Sequence, residues 1–597
     1  MSKRNRRGKR LAPSVETISH LPEFCLALAL LLAVVSYWPA LRYGFVYDDT
    51  QQILQNPAIT SWRYLPQYFT ANVWAGVYPG VRGYYYRPLF LLWLRLNYSL
   101  FGLTPWGWHL TSLLAHLAAI GVFFLVFRQW TNEGVAAGWG AVLFAVHPIH
   151  IESVAWISAV PEILFTAAGL GAIYSYVRYL QKYRPALLVI SAVLYALSLM
   201  AKETAIVVWP IIVAYSCWLR QDHDPEVGTA NLLETAKTQV PFAAVTATYI
   251  GLRIYALRGA VGGKPTHTFA GVFREAPSLV WFYLQKLVIP SGLSPIYFSH
   301  GTDSFASPRF YLPLIPVCAV AVGLALWVRK SRATALPALL LLISLLPPLL
   351  GVFVFPPHDL AHDRYLYLPS AGMCMLLALA VRSATRRKRG TISQLAFGHL
   401  TIAVIALAYV FSARAQEPPY RDNIALFMRA VQISPENATA WGILGEEFMT
   451  LGRNAEGIAA FQKAQALEPK NFVNNYRLGA AYYLVKDMRL AEIFFQFAID
   501  NYRDREVYSY DYTLYRLGLS QYAQGKMALA EITLRRACEL DPKMSGYHLA
   551  LAAAMKQQGR LHDARQQLEL ELKLGADPEA AKMFDEVNAG LHSEAIR

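Results

Sequence analysis

The chain has 597 residues, 55% of them hydrophobic and 16% charged, with a mean hydropathy of +0.28. This composition excludes collagen, disordered tails and small disulfide scaffolds. An excess of 55 basic over 40 acidic residues would suggest nucleic acid in a soluble protein, but apolar content this high directs the charge to a membrane surface instead, and no nucleic-acid partner is expected.

In chain order, residues 1–20 form a basic leader holding Lys3, Arg4, Arg6, Arg7, Lys9 and Arg10. The apolar run Leu21 to Leu41 ends in Tyr37, Trp38 and Pro39 rather than in small residues, so it reads as a retained anchor and not a cleaved signal. A hydrocarbon core about 30 Å thick needs roughly 20 helical residues. Runs near that length lie at about 109–130, 135–151, 162–181, 238–257, 309–328, 335–355, 365–382 and 393–412. The stretch from Ala186 to Leu219 reads as two helices meeting at Lys202 and Glu203, which brings the expectation to about 11 spans. Residues 88–101 and 277–290 are too short to span and read as in-plane or re-entrant helices.

With this count, Arg178, Lys182 and Arg184, then Arg329, Lys330 and Arg332, then Arg382 and Arg386 to Arg389 share the side of the N-terminus. That asymmetry predicts a cytoplasmic N-terminus. The loops 42–108, 258–308 and 356–365 then lie outside with the C-terminal region, in the periplasm of a bacterial inner membrane or the lumen of the ER.

Hydropathy divides the chain near residue 415, giving an expected membrane domain at 21–414 and a second domain at 415–597. In the second, Gly445 and Gly479 are 34 residues apart, as are Ala464 and Ala498, Gly518 and Ala552, and Ala530 and Ala564. A 34-residue period is that of the tetratricopeptide repeat, TPR. Three to four repeats are expected, with an insertion around Arg503 to Tyr510, a departure at Glu571 where a small residue is usual, and a capping helix after Asp577. The fold class is therefore all-α: a polytopic helical membrane domain followed by an outward-facing α-solenoid.

Polar residues collect at the outer helix ends. Asp48 and Asp49 adjoin Tyr47, and the loop closes with Tyr86 and Arg87. Paired carboxylates suit a turn, or a general base with its orienter or a divalent-cation ligand. His147, His150 and Glu152 suit helix-end hydrogen bonding or, less simply, a metal. Lys202, Glu203, His358, Asp359, His362, Asp363 and Arg364 complete the set. Arg87, Lys202 and Arg364 are the natural cations for a phosphate at the membrane surface. Asn97 and Asn437 match the glycosylation acceptor pattern, which is short enough to arise by chance.

The sequence of Tyr47-Asp48-Asp49, Asn56-Pro57, Tyr86-Arg87-Pro88-Leu89, His109-Leu110, His147-Pro148-Ile149-His150-Ile151-Glu152, Lys202-Glu203 and Asp363-Arg364-Tyr365-Leu366 resembles the transmembrane-and-TPR-containing protein O-mannosyltransferase family, whose members are GT-C glycosyltransferases. The resemblance implies transfer of a sugar, mannose or another hexose, from a polyprenyl-phosphate donor to a Ser/Thr hydroxyl of an exported or membrane protein held by the repeats. It places catalysis on Asp48 and Asp49, and a divalent cation, where one is used, on the same pair. Departures are Ala159-Val160-Pro161-Glu162 where the family often has Gly-Arg-Ala-Glu, and Asp363 where Glu is frequent. The same donor chemistry with a glycolipid or polysaccharide acceptor, and a non-enzymatic membrane-anchored TPR scaffold, are the alternatives.

Overall fold

The computed structural model describes residues 20–78, 83–219, 232–258, 268–298, 302, 304–353, 360–385, 392–502 and 509–596; His358, Asp359 and the basic leader fall outside them. The described secondary structure is helical, and the chain divides into two units, Met1–Arg429 and Ala430–Arg597.

In the first unit, α1 (Leu21–Tyr37), α2 (Leu65–Thr70), α3 (Pro88–Phe101), α4 (Pro105–Thr131), α5 (Gly134–Val146), α6 (Ile151–Ala155), α7 (Pro161–Lys182) and α8 (Pro185–Ala201) come first. They are followed by α9 (Val208–Ala214), α10 (Leu232–Ala256), α11 (Phe269–Val288), α12 (Pro308–Lys330), α13 (Ala335–Ile343), α14 (Leu346–Gly351), α15 (Tyr367–Thr385), α16 (Ile392–Gln416) and α17 (Asn423–Ile433). Prolines set many of these starts: Pro88, Pro105, Pro161, Pro185 and Pro308 each occupy the first helical position, where a missing N–H breaks no intrahelical bond.

Seven helices among the described residues are long and apolar enough to cross a membrane, or eight if the bent pair Gly134–Val146 and Pro148–Ala155 is one span. This is fewer than eleven for identifiable reasons. The run at 135–151 bends by 49° where Pro148 interrupts it. Pro185–Ala201 and Glu203–Cys217 are apolar but short. The run expected at 238–257 is the helix Leu232–Ala256, which is not among the seven, while the run at 335–355 counts as one span by length although it breaks between Ile343 and Leu346, ahead of Pro347 and Pro348. The helix expected at 277–290 begins earlier, at Phe269, and carries Pro277 inside it.

Basic helix ends gather on one side of this unit. Arg128 near the end of α4 pairs with Glu23 in the first turn of α1 at 2.7 Å. The neighbouring Gln129 accepts from Arg178 near the end of α7 at 3.4 Å, and Arg382 near the end of α15 pairs with Glu133 at 3.1 Å. The opposite ends of α7 and α15 begin at Glu162 and just after Asp363, so basic and site-bearing ends are segregated along the helices. Packing between helices is close where side chains vanish: a Cβ at Gly372 on α15 would lie 2.5 Å from the Pro337 carbonyl oxygen of α13.

The described residues of the second unit include four antiparallel helix pairs and a final helix. The pairs are α18 (Ala438–Thr450) with α19 (Asn454–Leu467), α20 (Phe472–Leu484) with α21 (Met488–Asp500), α22 (Tyr510–Ala523) with α23 (Met527–Leu540) and α24 (Tyr547–Gln557) with α25 (Leu561–Leu574); α26 (Pro578–Ile596) follows. The 34-residue period has a packing cause. Gly445, Gly479 and Gly518 each face a bulky side chain of the paired helix, and a Cβ there would meet Phe461, Phe495 and Leu534 at 2.6, 2.8 and 2.6 Å. Glu571, the departure in the fourth repeat, is buried because its carboxylate accepts from Gly546 N at 2.7 Å, Ser545 Oγ at 3.0 Å and Leu549 N at 3.2 Å, capping α24. Most of the insertion expected between the second and third repeats, at 503–508, lies outside the described residues.

Candidate functional site

Beyond α1 the chain makes a short 3₁₀ turn and enters the loop that carries the acidic pair. Tyr47 has φ of 51°, a left-handed conformation that is unfavourable for a bulky residue and must be held from outside. Its backbone N–H donates to Asn423 Oδ1 at 2.7 Å, while its ring packs on Trp156 and Phe427 at centroid distances of 5.5 and 5.2 Å. The reversal at Tyr47 turns Asp49 inward, where its side chain is 0% exposed. Oδ2 accepts from Val46 N at 3.1 Å, and Oδ1 accepts from Ser158 N at 2.8 Å and Ser158 Oγ at 2.5 Å. Asp48 is only half-buried. The two carboxylates thus occupy different environments: one sealed into a turn 109 residues away in sequence, the other nearer water. Burial pushes the Asp49 carboxyl up to about 7, against the opposing pull of the Ser158 and Val46 hydrogen bonds.

A cavity of about 290 Å³ opens beside the ends of α7 and α8. Lys202 is there because α8 stops at Ala201 and Lys202 takes an extended conformation before the next 3₁₀ turn. Its ammonium pairs with Glu162, which lies in the first turn of α7, where the helix dipole also favours a carboxylate. Arg87, preceding α3, makes a bidentate pair with Glu203 at 3.0 and 2.6 Å. Arg253, near the end of α10, is the third cation. One terminal nitrogen donates to the Tyr84 carbonyl at 2.7 Å, and the other, Nη1, is buried without a hydrogen-bond partner among the described residues. The lining therefore joins three cations and two carboxylates at one end to an apolar wall that includes Phe165, Val207, Pro347 and Leu368.

Arg364 is not part of that lining; its guanidinium and its backbone N–H both engage Glu152, the latter at 2.8 Å. It nonetheless links the acidic loop to the cavity. Its Cζ lies 5.1 Å from the Trp156 ring, which packs on Tyr47, and 5.3 Å from the ring of Tyr365, a cavity residue that Lys202 Nζ approaches to 4.8 Å.

Other polar residues singled out by sequence are engaged in hydrogen bonds within the protein. His147 Nδ1 accepts from Ile149 N at 3.2 Å and Nε2 meets the Leu287 carbonyl at 3.0 Å. His150 Nε2 meets Ser370 Oγ at 2.7 Å. Tyr86 is buried and donates to the Phe69 carbonyl at 3.0 Å. Asp363 accepts from Ser294 N at 3.0 Å and from Tyr297 OH at 2.8 Å. Asn437 is fully buried as the cap of α18, and Asn97 is buried within α3, so neither presents a glycosylation acceptor. A divalent cation does not fit this donor set. Asp49 already accepts three hydrogen bonds, Glu152 is held by Arg364, and no group of three His, Cys, Asp or Glu among the described residues is arranged to hold a metal.

Sequence reasoning passed over Ser158 and Arg253 as site residues, whereas Tyr365 reads with its neighbours at an outer helix end. Ser158 carries no local signal. Arg253 carried one, since an arginine inside an apolar helical run is a functional candidate by default.

Residues 86–224 match the family model for dolichyl-phosphate-mannose-protein mannosyltransferase, and residues 438–471 and 512–544 match the tetratricopeptide repeat. The chain is 24% identical over 509 residues to the mouse (Mus musculus) protein O-mannosyl-transferase TMTC3, covering 79% of this chain and 54% of the relative. It is 36% identical over 192 residues to Drosophila melanogaster Tmtc1, covering 32% and 22%. Among solved structures, ArnT from Cupriavidus metallidurans bound to undecaprenyl phosphate aligns over 82% of each chain at 13% identity with a TM-score of 0.40. The chain spans about half the length of the first curated relatives it matches. Both its membrane part and its repeats are thus similar to proteins named as O-mannosyl-transferases of the transmembrane-and-TPR kind.

Proposed function

We propose that this chain is a multi-pass membrane glycosyltransferase of the GT-C kind, moving mannose or a related hexose from a polyprenyl-phosphate donor to a Ser/Thr hydroxyl of an exported protein. The observation that carries this reading is the cavity, in which Arg253 forms no direct ion pair with a carboxylate among the described residues at the polar end of an apolar wall. That combination suits an anionic head on a hydrocarbon tail. The family match over 86–224 and the named relatives support the same chemistry.

In the proposed reaction the acceptor oxygen attacks the anomeric carbon as the bond from that carbon to the phosphate oxygen breaks. The polyprenyl phosphate leaves with the electron pair, and the hydroxyl proton passes to Asp48. Asp49 stays in its turn and fixes the backbone that presents Asp48. Arg253, Arg87 and Lys202 meet the charge that grows on the departing phosphate. The basic helix ends gathered on the side of Glu23 support a cytoplasmic N-terminus and a site on the periplasmic or lumenal face. The division of labour proposed for the sequence is residues 21–414 for transfer and 415–597 for holding the acceptor.

The test is the full chain in lipid nanodiscs, given a radiolabelled polyprenyl-phosphate mannose and a Ser/Thr-rich acceptor. Asp48→Asn should lower turnover by about 10²-fold or more. Undiminished transfer by that variant removes the base, and a chain that never transfers sugar but still binds partners through its repeats is a scaffold.

A further inference from the structure

Away from the cavity, α11 and α12 enclose an apolar groove of about 700 Å³, lined by Ala270, Phe273, Ala276, Pro277, Phe305 and Leu314 among others. Its floor is low because two positions are alanine, and its sides are aromatic. α12 is a candidate span whose most apolar stretch has none of its residues buried inside the protein, so this face meets lipid. At the rim, Arg274 lies with its Cζ 5.9 Å from the Phe305 ring. Its Nε is buried and has no hydrogen-bond partner among the described residues. Arg309, whose carbonyl accepts from Ser278 Oγ at 2.6 Å, is exposed at the start of α12.

A guanidinium N–H shut away from water beside lipid is costly unless an anion meets it, and phosphate matches the guanidinium fork. Groove length selects among anionic lipids. From Ala270 to Val280 the helix rises about 15 Å at 1.5 Å per residue, half of a hydrocarbon core about 30 Å thick. As a length along the groove, that suits one acyl chain of a leaflet and is shorter than a polyprenyl chain. We propose that the groove seats one anionic phospholipid, with an acyl chain over Ala270 and Ala276 and its phosphate against Arg274.

The full chain would be reconstituted in nanodiscs of phosphatidylcholine with a minority of phosphatidylglycerol, then released for native mass spectrometry. The expected result is one phosphatidylglycerol retained per chain in preference to phosphatidylcholine. Arg274→Gln should reduce that retention about tenfold, the effect of one charge-assisted hydrogen bond. Ala276→Phe, which fills the floor and leaves the charge, should lose both lipids. If Ala276→Phe does not give a monodisperse, folded protein, Arg274→Gln decides alone. Equal retention of the two phospholipids by the unaltered chain, retention unchanged in Arg274→Gln, or displacement of phosphatidylglycerol by added polyprenyl phosphate would each overturn the proposal.

Discussion

Removing the Ser158 hydroxyl tests whether the ionisation of Asp49 matters to transfer. In Ser158→Ala the Asp49 carboxylate keeps the two backbone donors, Val46 N and Ser158 N, and loses the 2.5 Å contact from Oγ. A hydrogen bond to a charged group contributes about 1.5–3 kcal/mol, and 1.36 kcal/mol corresponds to one pH unit, so the carboxyl should titrate about 1–2 units higher than its value near 7. If transfer needs Asp49 ionised, the acidic limb of kcat/KM against pH moves upward by that amount, while the rate on the alkaline plateau changes little. Stability runs the other way. A carboxyl whose folded value lies above its unfolded value of about 3.9 adds stability that is fully present below that pH and is lost as pH rises through about 7. Thermal melts of the unaltered chain should therefore fall between these limits by an increment absent in Asp49→Asn. An acidic limb that stays in place in Ser158→Ala, with only a lowered plateau, would show that Asp49 ionisation is irrelevant and that Ser158 acts through packing.

Further outcomes follow from the same coordinates. Arg253→Gln should raise the donor KM about tenfold, from loss of a charge-assisted contact, with little change in melting temperature. Arg87→Gln should lower the melting temperature as well, since it strands the Glu203 carboxylate. Gly372→Ala places a methyl against the Pro337 carbonyl, which cannot swing aside, whereas Gly479→Ala meets a side chain, the Phe495 ring, rather than backbone. Detergent-solubilised melts should accordingly show the first destabilised by more than about 1–3 kcal/mol and the second by less. Glu571→Ala removes the acceptor for two backbone N–H groups and a hydroxyl, so hydrogen exchange at the start of α24 should speed by the equivalent of about 1–3 kcal/mol, with α18 and α19 unaffected.

The helices were legible where sequence carries a physical boundary. Apolar length placed α4, α7 and α12 within a few residues, and small residues every 34 positions placed the repeats, because helix crossing leaves no room for a Cβ at Gly445, Gly479 or Gly518. Breaks inside continuous apolar runs were not legible from hydropathy. The steps at His147 and near Ser344 leave hydrophobicity unchanged, and only Pro148 and the Pro347-Pro348 pair hinted at them. At the candidate site, the types and helix-end positions of Asp48, Arg87 and Lys202 could be read directly. The different surroundings of Asp48 and Asp49 could not, because they depend on Ser158, and neither could the engagement of Arg364 by Glu152, which lies 212 residues away.

The pairing of charges in the cavity bears on when each cation acts. A lipid phosphodiester donor carries one negative charge, and the lining holds one cation more than it holds carboxylates. On the proposed reading Arg253 matches the ground state, while Arg87 and Lys202 remain tied to Glu203 and Glu162. On the proposed reaction, cleavage turns the diester into a monoester with a second charge, which appears only as the anomeric bond breaks. Arg87 and Lys202 can turn part of their interaction toward it at that moment, so their contribution falls on the transition state more than on donor binding. The distinction is measurable. Arg253→Gln should act chiefly on KM, whereas Glu162→Gln, which frees Lys202 to hold the donor in the ground state, should lower KM and kcat together. A Glu162→Gln chain with raised KM and unchanged kcat would show that Lys202 is a structural partner of Glu162 and takes no part in transfer.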